Sequence, residues 1–154
     1  MRPATGAVRG RADVLGFESE RALVERLGIA LVDLRRRDRR ASVAVLCRRP
    51  QTAGRLARSL RGYVPTRLVY DGRFLPRGAV EVAMVEEVKG LEFDYVVVPD
   101  GSDVDYPDSP AARRALYVAI TRARFQAVVA YVGAPSPIVP TTICQPRGFR
   151  STPQ

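Results

Sequence analysis

Apolar and polar positions alternate along this chain in a way that changes period several times. Over residues 18–37 apolar residues recur at helical spacing, with Leu23, Leu27, Leu31 and Leu34 on one stripe and Val24 and Ala30 beside it. Ser19 is placed to cap that helix, and a cluster of arginines lies near its end, where cations suit the helix dipole. Residues 42–47 are continuously apolar and predict a buried strand, followed by a helix over 50–60 that starts on Pro50. Residues 66–70 predict a further short strand, and Asp71-Gly72 a turn after it. Residues 79–85 are rich in β-formers, and the run 95–98 reads as a central parallel strand. An acidic loop over 100–108, a helix over 110–121 and a last strand over 127–132 complete the pattern. Strands alternating with helices predict an α/β domain with a mainly parallel sheet flanked by helices. Residues 1–16 show no periodicity and predict a flexible lead-in, residues 17–135 form the domain, and 136–154 predict a Pro-rich tail or linker.

Composition narrows the field. At 154 residues the chain is one domain's worth. No apolar run reaches the roughly 20 residues that a membrane-spanning helix needs, and the basic N-terminus lacks the apolar stretch of a signal peptide. With two scattered cysteines and no histidine, a disulfide framework and a zinc site are both excluded expectations, and a reducing cytoplasm is the simplest setting. The net charge of +9 is unevenly distributed. Residues 1–80 hold 18 Arg against 7 acids, residues 81–110 one Lys against 9 acids, and residues 111–154 six Arg and no acid. Such blocks predict a folded domain with distinct faces. Excess Arg suits a phosphate-rich partner, although 24 of the 25 basic residues are Arg, which a preference for Arg codons would also produce.

Two segments stand out. In the first, two apolar strands flank the polar insert Lys89-Gly90-Leu91-Glu92, which holds the only lysine of the chain. Gly90 permits a tight turn or a close backbone approach, and the insert follows a strand's carboxyl end, where ligands of open α/β sheets lie. On the residues alone, a solvated polar loop describes it at least as well. The second is Arg113-Arg-Ala-Leu-Tyr-Val-Ala-Ile-Thr-Arg-Ala-Arg124. Leu116, Ile120 and Ala123 share one helical face, with Tyr117 and Ala119 near it, so most of the segment is expected to pack inward. Arg122 then ends a rigid helix. Such an arginine can be pre-placed against developing phosphate charge, or can simply complement the helix dipole.

Together, Lys-Gly-Leu-Glu-Phe-Asp followed by Arg-Arg-x-Leu-Tyr-Val-Ala-x-Thr-Arg-Ala resembles motifs V and VI of the UvrD/Rep-like superfamily 1 DNA helicases. The upstream Val43-Ala-Val-Leu-Cys-Arg-Arg-Pro50 resembles the strand-and-arginine motif that opens the same C-terminal domain. The resemblance spans roughly residues 40–140, and the wording of its motif V is closest to the HelD-like, RNA-polymerase-associated branch. It implies a RecA-like fold of the P-loop NTPase type and a role as a motor half. Arg122 would then be the arginine finger, reaching the γ-phosphate of an ATP held with Mg2+ between two RecA-like domains. Glu92 would contact the ribose, with Gly90 giving backbone access. Arg48 and Lys89 would line the path of single-stranded DNA, while Arg113 and Arg114 would serve salt bridges or interdomain contacts. An N-terminal RecA-like helicase domain is the implied partner, with RNA polymerase or a repair protein as further candidates.

The sequence also departs from that family. Motif V usually carries Thr and His five and three residues before its lysine; here those places hold Met84 and Glu86. Only about 33 residues separate the early strand from motif V, leaving no room for the large insertion of UvrD-type enzymes. No Gly-x-x-x-x-Gly-Lys-Ser/Thr loop exists, because Lys89 is preceded by Val88 and followed by Gly90. No Asp-Glu pair ends a strand either. The chain is therefore expected to be inactive alone and to bind no metal itself. The alternative reading is a free-standing, non-catalytic RecA-like module that binds nucleic acid or a protein partner.

Overall fold

A computed structural model describes residues 12–75, 78–88 and 90–139. Six strands form one sheet: β1 (Ala12–Phe17), β2 (Val43–Cys47), β3 (Thr66–Val69), β4 (Val80–Met84), β5 (Phe93–Val98) and β6 (Ala123–Val132). Their spatial order is β1-β6-β5-β2-β4-β3, and every neighbouring pair is parallel. Three α-helices accompany them: α1 (Glu20–Arg37), α2 (Pro50–Leu60) and α3 (Pro110–Thr121).

The chain winds outward from β1 through α1, β2 and α2 to β3, then back through β4 and β5 to β6. Parallel crossovers keep one hand, so reversing direction moves the connections to the other face of the sheet. That is what the two cores show. Leu23, Leu27 and Leu31 of α1 and Leu56 and Leu60 of α2 pack on Val43, Val45, Val80, Val82, Tyr95 and Val97. The intervening residues Ala44, Leu46, Ala83, Val96 and Val98 point the opposite way, onto Ala112, Leu116 and Ala119 of α3 and onto Val85 and Val88 of a 3-10 turn, Val85–Val88. Being covered on both faces, β2 is buried at every position, which explains its unbroken apolar sequence.

Helix starts follow the expected chemistry. Ser19 Oγ accepts from the Ala22 amide at 3.1 Å, and Ser109 Oγ from Ala112 at 3.2 Å, each with proline or glutamate in the first turn behind it. Three boundaries differ from the sequence expectation. Residues 12–17 belong to the sheet: β1 pairs with β6 over its whole length, Ala12 to Ala127 through Phe17 to Val132. Its period was hidden because both faces of a short edge strand are partly covered, and because buried Asp13 interrupts the apolar run while accepting from Gln126 Nε2 at 2.8 Å. Residues 1–11 lie outside the described residues. At the other end, Ser136 and Val139 are buried, Ser136 N donates to Gly101 O at 2.9 Å and Ser136 Oγ to Tyr106 O, so the domain extends to at least residue 139. The rest of the expected tail, 140–154, lies outside the described residues. Finally, β6 begins at Ala123, earlier than the apolar run suggests, because Phe93 draws Ala123 into register.

The α1–α2 contact turns on a glycine. A Cβ on Gly28 would sit 2.4 Å from Cγ of the Tyr63 ring, inside any real contact distance. Gly28→Ala should therefore lower unfolding free energy by about 1–2 kcal/mol, overpacking outweighing the gain in helix propensity. In a Tyr63→Ala background the same substitution should be neutral or stabilising. Thermal or urea unfolding of the four proteins checks this, and a destabilisation that persists without Tyr63 would contradict the packing account.

Candidate functional site at the two edges of the sheet

An all-parallel sheet has an amino edge and a carboxyl edge, roughly 17–20 Å apart for strands of this length. The residues singled out in the sequence fall on both. The crossover of residues 85–92 leaves β4 at the carboxyl edge and enters β5 at the amino edge. Gly90, Leu91 and Glu92 of the polar insert come at its end, just before β5, so the expectation that the insert lies beyond a strand's carboxyl end is not met. Gly90 takes φ +74° and faces open space, with no atom within 4 Å of where a Cβ would stand. The Leu91 amide closes the turn on Val88 O at 3.1 Å. Glu92 is exposed at the amino edge. Lys89 lies outside the described residues.

Arg122 reaches the same edge from the other side. It caps α3 with its amide on Ala119 O at 3.3 Å, and its own carbonyl accepts from the Phe93 amide at 2.8 Å. That bond fastens the end of α3 to the residue following Glu92. The Arg122 side chain is half-buried; Nη2 donates to Thr121 Oγ1 at 3.5 Å, while Nε is buried without a hydrogen-bond partner. Thr121 Oγ1 itself sits within 2.8 Å of Tyr117 O and 3.1 Å of Val118 O, which holds the helix end closed. The structure thus brings Gly90, Glu92 and Arg122 together. A groove there is lined by apolar Phe74, Leu75 and Leu91 and by charged Arg40, Glu92 and Arg124. Phe74 and Phe93 meet edge to face at 5.3 Å in its floor. The amino ends of β2 and β5 are fixed there by a reciprocal pair: Ser42 N donates to Asp94 Oδ2 at 3.0 Å and Asp94 N to Ser42 Oγ at 2.8 Å.

Arg48 is on the opposite edge, after β2, and it is not brought to the other three. Its amide donates to Asp100 Oδ2 at 2.7 Å, its Nε to Asp105 O at 3.2 Å, and its guanidinium lies 5.4 Å over the Tyr106 ring. Its neighbour Arg49 pairs with Asp105 Oδ1 at 2.7 Å. This polar knot is the part that sequence reading missed. Asp100 stands at the end of an apolar strand, a place suited to a buried carboxylate, but its partner is 52 residues away in sequence. Arg113 pairs with Asp108, as an expected salt-bridge former, and Arg114 is exposed. Tyr117 departs from the expected inward packing: it is 70% exposed on the outer side of α3.

Asp100 is 6% exposed, and its Oδ1 has no partner. Burial pushes its pKa up to about 7, with nearby Asp105 adding to the rise and the Arg48 amide opposing it. The same burial, reinforced by the Asp100 charge, raises the neighbouring Cys47 thiol and Tyr106 hydroxyl. Among the described residues no three His, Cys, Asp or Glu side chains gather as a metal site, and no helix is long and apolar enough to cross a membrane.

With this geometry in hand, the relatives are informative. Residues 80–130, from the start of β4 well into β6, match the family model of the UvrD-like helicase C-terminal domain. Both segments that carried the sequence resemblance fall largely in that stretch, and the resemblance is borne out there. The fold is similar to the C-terminal domain of a possible DNA helicase from Lactobacillus plantarum WCFS1, with a TM-score of 0.69 at 23% identity over 82% of this chain and 76% of that one. It is also similar to the C-terminal domain of the DEAD-box protein Dbp5, with a TM-score of 0.55 at 11% identity over 82% of this chain and 79% of that one. No curated protein matches the chain. The architecture, a parallel sheet flanked by helices, is the RecA-like fold shared with those C-terminal domains.

The raised Asp100 pKa has a testable consequence. A carboxyl that ionises near 4 in the unfolded chain and near 7 in the fold binds more protons folded than unfolded between those values. Its contribution is fully present below pH 4 and is lost as pH rises towards 7. Asp100→Asn, which keeps an acceptor for the Arg48 amide without the charge, should therefore gain stability relative to the parent protein as pH increases from 4 to 7. Urea unfolding of both proteins across that range checks it; parallel curves would show that Asp100 is not buried as an acid.

Proposed function

We propose that this chain is the C-terminal motor domain of an ATP-dependent superfamily 1 DNA helicase or translocase. The nucleotide and its Mg2+ would be held chiefly by an N-terminal RecA-like domain, which supplies the phosphate loop that this sequence lacks. The observation that carries the reading is the 2.8 Å bond from Phe93 N to Arg122 O, which locks the two segments of the family signature into one edge. The residues present there fit a nucleotide: Gly90 leaves the backbone open, Glu92 is exposed, and Arg122 has a buried Nε in need of an acceptor.

Each residue then has a defined task. The Glu92 carboxylate accepts from a ribose hydroxyl, which orients the nucleotide without touching its phosphates. The Arg122 guanidinium, fixed by the end of α3, offers positive charge to the γ-phosphate oxygens as negative charge shifts in the transition state. ATP supplies the free energy when bound, and closure of the cleft over Arg122 couples it to movement. On the carboxyl edge Arg48 is held in one orientation by Asp105 and Tyr106, and its remaining N–H groups are available to a strand backbone. The family resemblance assigns Lys89 to the same strand path.

One observation favours the alternative, a non-catalytic RecA-like module. The carboxyl edge is acidic, and both arginines that follow β2 are already engaged there, so the usual strand path is weakened. ATP separates the readings. Joined to an N-terminal RecA-like domain, the protein should hydrolyse ATP in response to single-stranded DNA, and Arg122→Ala should lower turnover by roughly 10³-fold, as for other arginine fingers. Glu92→Ala should act mainly on KM. Undiminished hydrolysis with Arg122→Ala would refute the finger assignment.

A further inference from the structure

Charge in this domain is sorted by the sheet's polarity. On the carboxyl edge the chain leaves β1 into Glu18, β4 into Glu86 and Glu87, and β5 into Asp100, Asp103 and Asp105. The two arginines leaving β2 there are tied down by Asp100 and Asp105. The amino edge carries Glu92 and Asp94, the latter tied to Ser42 and Arg124, against a larger basic cluster. The C-terminal end of α1 and the turn after it hold five arginines within residues 35–40, immediately before β2.

These arginines are not equivalent. Arg35 folds under the turn: its Nη1 donates to Ala41 O at 2.6 Å and Arg39 O at 3.4 Å, and burial lowers its pKa. Arg37 pairs with Asp33 at 3.1 Å, one helical turn back. The other nearby acid, Asp38, caps the turn by accepting from the Arg40 amide at 3.0 Å. That leaves Arg36, Arg39 and Arg40, all exposed, with no acidic side chain in hydrogen-bond or ion-pair contact among the described residues. The helix dipole needs only the cations of the last turn, which Arg35 and Arg37 already supply. Three further guanidinium groups on a braced turn repel one another unless a polyanion lies across them. A flexible tail would not hold them together; Arg35 and Asp38 fix the backbone that presents them.

We propose that Arg36, Arg39 and Arg40 form a nucleic-acid backbone contact at the amino edge, separate from the Arg48 side of the sheet. Nucleic acid is favoured as the occupant because guanidinium forks match successive phosphate oxygens, and because the acidic carboxyl edge steers a polyanion to the opposite side. This surface does not depend on the nucleotide reading. It would exist equally in a motor half and in a non-catalytic module.

The test is fluorescence anisotropy of the full chain with a labelled single strand and a labelled duplex, between 50 and 200 mM salt and without ATP. Each phosphate neutralised contributes about 0.7–0.9 to the slope of log K against log salt. The triple variant R36A/R39A/R40A should lose roughly 2–3 from that slope and bind about tenfold or more weakly at 50 mM salt. R36K/R39K/R40K should keep most of both. R21A/R26A/R73A, which removes three exposed arginines elsewhere, should change the slope by less than one. An equal loss in that variant would reduce the effect to net charge and overturn the proposal. So would an unchanged slope in R36A/R39A/R40A with an unaltered unfolding midpoint, or competition by polyglutamate as effective as by DNA.

Discussion

Everything in this domain follows from a sheet whose neighbouring strands are all parallel. Parallel pairing forbids hairpins, so each connection must carry the chain from the carboxyl edge back to the amino edge. A short polar insert between two strands therefore has its two ends on opposite sides of the molecule. Val85 and Glu92 illustrate this: the first lies beside the end of β4, the second at the entrance to β5. A crossover that is continuous in sequence thus joins the two edges of the sheet.

The polar bonds that hold the strand ends are consistent with that division. At the amino edge Ser42 and Asp94 exchange side-chain-to-backbone bonds, and Phe93 and Arg122 exchange a backbone bond. These contacts join β2, β5 and β6 where the candidate nucleotide residues stand, giving Arg122 a rigid base. At the carboxyl edge the corresponding tie is Asp100 on the Arg48 amide. It is bought with a carboxyl so buried that its pKa is pushed up to about 7. The Arg48 side chain is held separately, by the Asp105 carbonyl and the Tyr106 ring. The loops around Arg48 are acidic, whereas Arg36, Arg39 and Arg40 stand exposed together at the end of α1.

Much of the fold was legible in the sequence, for identifiable reasons. Residues 42–47 and 95–98 are apolar without a break because β2 and β5 are covered on both faces. Ser19 marked a helix start because its hydroxyl accepts from the amide three residues on. β1 was not legible: its partner β6 lies more than 100 residues on, and its buried Asp13 is satisfied by Gln126, a pairing no local pattern announces. The site was legible in one half. Gly90, Glu92 and Arg122 were singled out through the family resemblance, and the Phe93–Arg122 backbone bond brings their segments to one edge. The knot around Asp100 was not, because Arg48, Asp105 and Tyr106 converge only after three crossovers. Tyr117 was misplaced for a simpler reason: one helix face can bury only part of an apolar-rich segment, and Leu116 and Ala119 already fill it.

In the proposed motor reading the amino edge faces nucleotide, and Arg48 on the carboxyl edge lines the path of the translocated strand. Amide hydrogen exchange on this domain joined to an N-terminal RecA-like ATPase domain tests it directly. A non-hydrolysable ATP analogue should slow exchange at residues 90–93 and 121–124, and single-stranded DNA should slow it at residues 48–49 and 100–106. Protection by the ATP analogue confined to residues 48–49 and 100–106, with none at 90–93 or 121–124, would contradict the account.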